Sequence, residues 1–573
     1  MNTDLLKSTI FAFCMVAAVV GCSSSNNNNS GSSSSSSGQA AVDDSDNDGV
    51  AKADDNCIDV KNADQADSDS DGQGDACEEL YDFEDTNGVS TVSYTGQTAR
   101  HVLIADLANN IAALTRNDSR EKADLIQEEL NSYYYNILED GQNVGVALDG
   151  EDISFTLGGG DGQLVTNIGN VGDMTLGGIS TTKNLSGKIA GNDKCTHILS
   201  DGDAEVACAD GVRGEFFGWE QGLDADPLVR TPEDLVQVYF SWLADEATKE
   251  TLTTIHGTDI DVGEVYLDSY GRDYAQLVQK FLLGSVAFSQ ATSDYMQQDF
   301  IAGSAGLKDG ENHTAAQHSF DEAFGYYGAA VNAPLYTDLE ARGGKSVDDG
   351  AREGYQYGYN DADGDGYISI RSEVMLGNST NCAKRDLGTA DNGGDATNYS
   401  AEVFDAFVAA REILQAAGDA GELSVAQKTQ LETNIKVAAQ TWEKCIAATV
   451  VHYINEVNSD IDQFVGEEFA SLDNFKNLAK HWSEMKGFAL GLQFSPLSPF
   501  RTTDSASSVD DLKMILAYMG DAPVLANGTQ LGQDYSEGAT AQERVAAYKA
   551  KLLDARDMLK SAYGFAQVNV EGW

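Results

Sequence analysis

Proline is scarce, 6 in 573 residues. Proline breaks helix interiors, so its rarity leaves long stretches free to be helical. Basic residues are also few: 36 Lys and Arg stand against 92 Asp and Glu, a formal net charge of −56. That balance excludes a nucleic-acid binder, which needs clustered cations against a phosphate backbone. It equally excludes electrostatic docking on anionic lipid. No apolar run is long enough to span a bilayer as a stable helix. The spacings CxxC and CxxCH are absent, as is a Gly-x-Ser-x-Gly elbow. Gly344-Lys345-Ser346 resembles the end of a phosphate loop, but Leu339 stands where its first glycine belongs. What is present is a 42% hydrophobic composition, ample for a core and against general disorder. At roughly 100–200 residues per domain there is room for two to four units. A soluble acidic body, a cation binder, or both remain.

Residues 1–21 read as an export signal: Lys7, an apolar run from Ile10 to Val20, then small residues before Cys22. Ala18-Val19-Val20-Gly21-Cys22 resembles the bacterial lipobox, which implies lipidation of Cys22. Residues 22–42 begin with that cysteine, and Ser23 to Gly38 consists of Ser, Asn and Gly alone, a flexible tether with nothing to bury. In such lipoproteins Ser after the lipidated cysteine implies the outer membrane. The mature chain is therefore expected to be anchored to the bacterial outer membrane, facing the periplasm or the cell surface.

Of eight cysteines, Cys14 leaves with the signal and Cys22 takes lipid. Six remain, and six allow 15 pairings. Sequence proximity favours Cys57–Cys77 and Cys195–Cys208, leaving Cys382–Cys445. An oxidising compartment permits all three.

Residues 43–79 carry 14 acidic and 2 basic residues. Carboxylates recur at alternate positions before glycine, as in Asp44-Ser-Asp46-Asn-Asp48-Gly49 and Asp67-Ser-Asp69-Ser-Asp71-Gly72. Such loops aim several oxygens at one point, as calcium's six to eight ligands require. With Asp54-Asp55-Asn56-Cys57, Asn62-Ala-Asp64-Gln65 and the closing Gly74-Asp75-Ala-Cys77, the segment resembles the thrombospondin type 3 repeat. The resemblance implies one calcium on Asp44, Asp46, Asp48 and Asp55 and a second on Asp67, Asp69, Asp71 and Asp75. Lys52 departs from the repeat, which usually has Asp there. Further on, Asp361-Ala-Asp363-Gly-Asp365-Gly366-Tyr-Ile368 matches the start of an EF-hand-type loop. Position 12 is Ser372, with Glu373 one residue late. Asp361, Asp363, Asp365 and Glu373 are the candidate ligands of this body loop.

From residue 80 the chain reads as mainly α. Helical periodicity predicts helices at 97–115, 118–136, 231–249, 264–300, 314–330, 400–418, 424–463, 471–492, 508–519 and 540–566. Thr231 before Pro232, Ser471 and Thr540 with Glu543 are candidate caps. A glycine-rich patch from Val144 to about Val212 predicts small β-hairpin insertions.

One pattern occurs twice. Phe320-Asp321-Glu322-Ala-Phe-Gly325-Tyr326 and Trp482-Ser-Glu484-Met-Lys-Gly487-Phe488 share aromatic-x-Glu-x-x-Gly-aromatic. His318 and His481 precede them, out of only 7 histidines. Residues three or four apart share a helix face, so each motif presents His and Glu side by side. With His481-x-x-Glu484, residues 80–573 resemble the imelysin-like family of exported bacterial proteins and a related lipoprotein family of unknown function. The resemblance implies a duplicated, two-lobed helical bundle, with pseudo-repeats over about 80–340 and 341–573. It also implies iron acquisition or peptidase activity. The first copy departs, since His318 is four residues from Glu322 and three from Asp321. Three readings stand for His318, Asp321, Glu322, His481 and Glu484. They are buried helix-packing groups, or a ligand or transition-metal site suited to zinc or iron, or a metallopeptidase centre without His-Glu-x-x-His. The expected function is a calcium-binding outer-membrane lipoprotein whose helical body binds a ligand or metal in iron or nutrient uptake. Partners are then the membrane, through the anchor, and an unknown ligand or envelope protein. A metallopeptidase and a non-catalytic adhesion protein are the alternatives.

Overall fold

The computed structural model describes residues 81–116, 123–136, 175–191, 216–219, 231–249, 253–361, 367–391, 393–503, 505–533 and 539–573, with a few positions between 49 and 74 and residue 251. The chain divides into two units, Met1–Gln65 and Ala66–Trp573. The boundary falls inside the 43–79 segment.

In the first unit the carboxylate of Asp55 is turned back on its own loop. One oxygen, Oδ1, accepts from the Cys57 amide at 2.9 Å and from Gln65 Nε2 at 3.1 Å. The Asn56 amide donates to Gln65 Oε1 at 2.8 Å. Cys57 is disulfide-bonded. Cys77 lies outside the described residues, as do Asp44, Asp46, Asp48, Asp67, Asp69, Asp71 and Asp75. Cys22, Cys195 and Cys208 lie outside them too.

The second unit is mainly helical. Its longer helices are α1 (Thr95–Ala112), α2 (Ala123–Tyr135), α3 (Pro232–Thr248), α4 (Tyr274–Leu282), α5 (Ala315–Tyr327), α6 (Gly377–Asp391), α7 (Tyr399–Ala420), α8 (Val425–Asp462), α9 (Leu472–Gly491), α10 (Val509–Met519), α11 (Ala541–Tyr563) and α12 (Gln567–Gly572). Capping boxes open several of them: Thr231 with Asp234 on α3, Thr314 with Gln317 on α5, Ser424 with Gln427 on α8 and Thr540 with Glu543 on α11. Each satisfies amides that a helix start would otherwise leave unpaired. The long α8 lies along α7, α9, α6 and α11. α4 packs against α9, and α1 against α4 and α5.

One apolar core runs from Tyr81 to Trp573, with Trp442 and Trp482 fully enclosed. A satellite of Ile255, Val262, Leu267, Phe475, Ala479 and Leu525 sits beside it. A cystine joins Cys382 on α6 to Cys445 on α8, the pair that proximity left over.

Three expectations are corrected. The predicted helix at 264–300 begins only at Tyr274, because Asp268 to Gly271 form a tight turn in which Asp268 Oδ1 accepts the amides of Tyr270 and Arg272, both at 2.9 Å. Past Leu282 it loosens into two π-helical stretches, Leu283–Phe288 and Gln290–Asp294. There a Cβ on Gly284 would stand 2.7 Å from the Gly491 Cα, so two backbones meet where side chains would otherwise separate them. The expected hairpins do not appear at 175–191, the described part of the glycine-rich patch, where Leu176–Ile179 and Ser186–Lys188 are helical turns. Among the described residues, antiparallel pairing is confined to isolated bridges such as Glu84 with Ser90 and Leu267 with Asp273.

Candidate functional site

The two His/Glu motifs lie on α5 and α9, as their spacing predicts, and each enters a different neighbourhood. On α5, Asp321 is fully buried and bound to Arg411 Nε at 2.7 Å and to the Tyr81 hydroxyl at 3.1 Å. Arg411 is equally buried and reaches Thr91 Oγ1 at 2.7 Å. Burial raises the Asp321 carboxyl to about 6, against the pull of Arg411. Glu322, one residue on, points elsewhere and accepts from Gln97 Nε2 at 2.7 Å. His318 lies 3.7 Å from Glu322 and stacks on His313, with 4.9 Å between ring centroids. Burial lowers both histidines, which favours neutral rings.

On α9, His481 Nδ1 is 2.8 Å from Asp460 Oδ2 on α8. Burial pulls its pKa down, but the hydrogen bond and charge of Asp460 outweigh burial and raise it. Glu484, one turn on, is 5% exposed and lies 3.7 Å from Lys280 Nζ on α4. The glycine of the motif explains that approach: a Cβ on Gly487 would stand 2.8 Å from the Lys280 Cβ. Tyr453 of α8 lies close to Glu484, its own hydroxyl pushed up by burial first and by Glu484 next. The two motifs share no hydrogen-bond or ion-pair partner among the described residues. Nor, among those residues, do three or more His, Cys, Asp or Glu side chains gather to hold a metal ion.

Periodicity missed α6. Its sequence, Gly-Asn-Ser-Thr-Asn-Cys-Ala-Lys-Arg-Asp-Leu-Gly-Thr-Ala-Asp, has no apolar stripe, yet Asn378, Ser379, Asn381, Arg385, Asp386 and Thr389 are all buried. Local hydrogen bonds make this tolerable. Ser379 Oγ donates to the Gly328 carbonyl at 2.9 Å, Asn381 Nδ2 to Asn378 Oδ1 at 3.2 Å, and Asp386 accepts the Tyr399 and Ser400 amides at 2.9 Å. The only signal in the sequence was Cys382, in the middle of the segment.

Between α4, the first turns of α6 and Phe488 of α9 lies a cavity of about 150 Å³. Lys280, Lys384, Asn381, Thr380 and His101 give it polar walls, and Leu283 and Phe488 apolar ones. Lys384 forms no hydrogen bond or ion pair among the described residues. Burial lowers its pKa to about 7, and Lys280, Arg385 and Arg342 add to the effect against the opposing charge of Glu484. Arg385 is likewise depressed to about 10, by burial foremost, and its Nε finds no acceptor among the described residues. His452 on α8 falls to about 3 through burial and then Arg385 and His481, so it adds no charge. Asp273, the cap of α4, is raised to about 7 by burial foremost. Two half-buried lysines thus line a small cavity, with Glu484 acting on both and Asp386 and Glu456 on the buried Arg385 behind them.

The body-loop residues are placed in part. Tyr359 bridges Val374, closing the loop, and Glu373 is buried with Oε2 accepting the Ser369 amide at 2.6 Å. Asp361 stands at the edge of the described chain, and Asp363 and Asp365 lie outside it. Among the described residues no helix is long and apolar enough to cross a membrane. No protein-family model matches the chain, no curated protein matches it, and no solved structure matches it.

Proposed function

We propose that this chain is an outer-membrane lipoprotein in which lipid on Cys22 and a Ser/Asn/Gly tether carry a calcium-bound module and a helical body. The body captures a small ligand for nutrient uptake and does not turn it over. The observation that carries the ligand-binding reading is α6, a helix kept polar inside the core, whose Lys384 faces a cavity with no ion pair among the described residues. Burying an unpaired cation lowers stability, and such groups persist where something else uses them. A purely adhesive protein leaves that expense unexplained. A metallopeptidase gains less support, because Glu484 faces Lys280.

Calcium in the 43–79 module is supported by Asp55. It is 9% exposed, and its second oxygen, Oδ2, meets no hydrogen-bond donor among the described residues. A buried carboxylate oxygen without a donor suits a cation. Native mass spectrometry of the full chain, with and without a calcium chelator, tests both parts. Chelator-reversible calcium that drops by one ion in Asp55→Asn, together with a bound small molecule, is the expected result. A chain that takes up no calcium and carries no small molecule would sink the proposal.

A further inference from the structure

We infer that the cavity between α4, α6 and α9 is a binding site for a small organic carboxylate, held between Lys280 and Lys384. The inference rests on the ligand-binding reading above and names its class of ligand. In a chain of net charge −56, four cations, Lys280, Lys384, Arg385 and Arg342, are neighbours here. Most of the acidic groups close by are engaged or partly neutralised, and Glu456 sets its charge beside Arg385. Glu484 lies 3.7 Å from Lys280 through Oε1, while its Oε2 meets no hydrogen-bond donor among the described residues. Asp386 caps the start of α7, and the Asp273 carboxyl is held partly protonated by burial. Lys384 is thus left without a carboxylate partner of its own among the described residues.

The position of the cavity adds to this. It opens on Gly377, Thr380 and Lys384, along the first turns of a helix of 15 residues. That end of a helix carries the positive pole of its dipole. The other wall selects the kind of anion. Phe488, Leu283 and Met375 offer apolar surface where a hydrocarbon stub packs. At about 150 Å³ the space is well below the roughly 300–1,000 Å³ of drug-sized ligands, so an acid of a few carbons fits.

Calorimetric titration of the full chain with propionate and glutarate tests this, with propionamide as the neutral isostere and inorganic phosphate as the competing anion. The expected result is saturable one-to-one binding of at least one carboxylate and none of propionamide. Lys384→Gln weakens that binding by about tenfold or more, the loss of one charge-assisted contact. Lys384→Arg keeps it within about threefold, and circular dichroism checks that both variants are folded. Equal binding of propionate and propionamide, binding of phosphate alone, or affinity unchanged in Lys384→Gln overturns the inference. A neutral molecule or metal found on the chain and indifferent to Lys384→Gln would overturn the carboxylate class while leaving the ligand-binding reading in place. A chain that carries nothing and takes none of the probes removes both.

Discussion

Lys384→Met is expected to make the protein more stable at neutral pH, and the gain is expected to shrink as the pH rises. The ordinary lysine value of 10.5 falls to about 7 here, through burial and then Lys280 and Arg385. At about 1.4 kcal/mol per tenfold change in proton affinity, that difference amounts to at most about 5 kcal/mol. Lys384 keeps part of its surface open to the cavity, and solvent there reduces the figure to about 2–3 kcal/mol. The sign follows from proton counting. The unfolded chain holds this proton up to about pH 10.5, while the folded chain releases it above about pH 7. Stability therefore rises with pH across that window, and the penalty is complete only below it. Methionine has similar length and no charge, so the variant never bears the penalty. Its advantage of about 2–3 kcal/mol at pH 7 falls by about half or more by about pH 9.5. Thermal unfolding followed by circular dichroism reads this directly, since for a body of this size about 1 kcal/mol moves the midpoint by about 1 °C. Both proteins are scanned at matched pH, so titration elsewhere cancels in the difference. A difference that stays flat from pH 7 to 9.5, or a variant less stable at pH 7, would refute the reasoning, because the ammonium would then be at ease where it sits.

Two further predictions concern the frame. Arg411→Met strands the fully buried Asp321 carboxylate and is expected to lower stability by about 3–5 kcal/mol. Denaturant melts at pH 7 and pH 5 check it, and the loss is expected to be smaller at pH 5, where Asp321 takes up a proton. Replacing Cys382 and Cys445 together by alanine opens a cross-link between residues 63 apart. The chain-entropy model assigns about 4 kcal/mol to a loop of that size, read as a lower denaturation midpoint that reducing agent no longer shifts at this pair.

Much of the helical frame was legible in the sequence. The stripes that gave α1, α3, α5, α7, α8, α9, α10 and α11 are the ones that bury apolar side chains, and Thr231 caps α3 as its sequence suggests. The pairing of Cys382 with Cys445 was legible by subtraction. What escaped was decided by neighbours distant in sequence. The π-helical stretch after Leu282 exists where Gly284 meets Gly491, about two hundred positions away, and no local pattern contains that encounter. α6 escaped for the opposite reason. Several of its side chains bond one another, the carbonyl of Gly328 or the first amides of α7, so much of it is buried without looking apolar. The His/Glu motifs were found by repetition, and their helices and the shared faces followed. The partners that give them meaning, Arg411 for Asp321 and Lys280 for Glu484, come from other helices and could not be read from spacing.

The cystine between α6 and α8 has a consequence for timing. Cys382 lies two residues before Lys384, on a helix with little apolar surface of its own. In a reducing cytosol nothing covalent would seat that helix, and the cavity beside it would lack a wall. Organic acids are abundant there, and a receptor complete before export would leave the cell already loaded. If the chain is exported as proposed, oxidation finishes the pocket only on the far side of the membrane. The protein would then arrive at its post empty, and the same bond that stabilises the body would decide where it begins to bind.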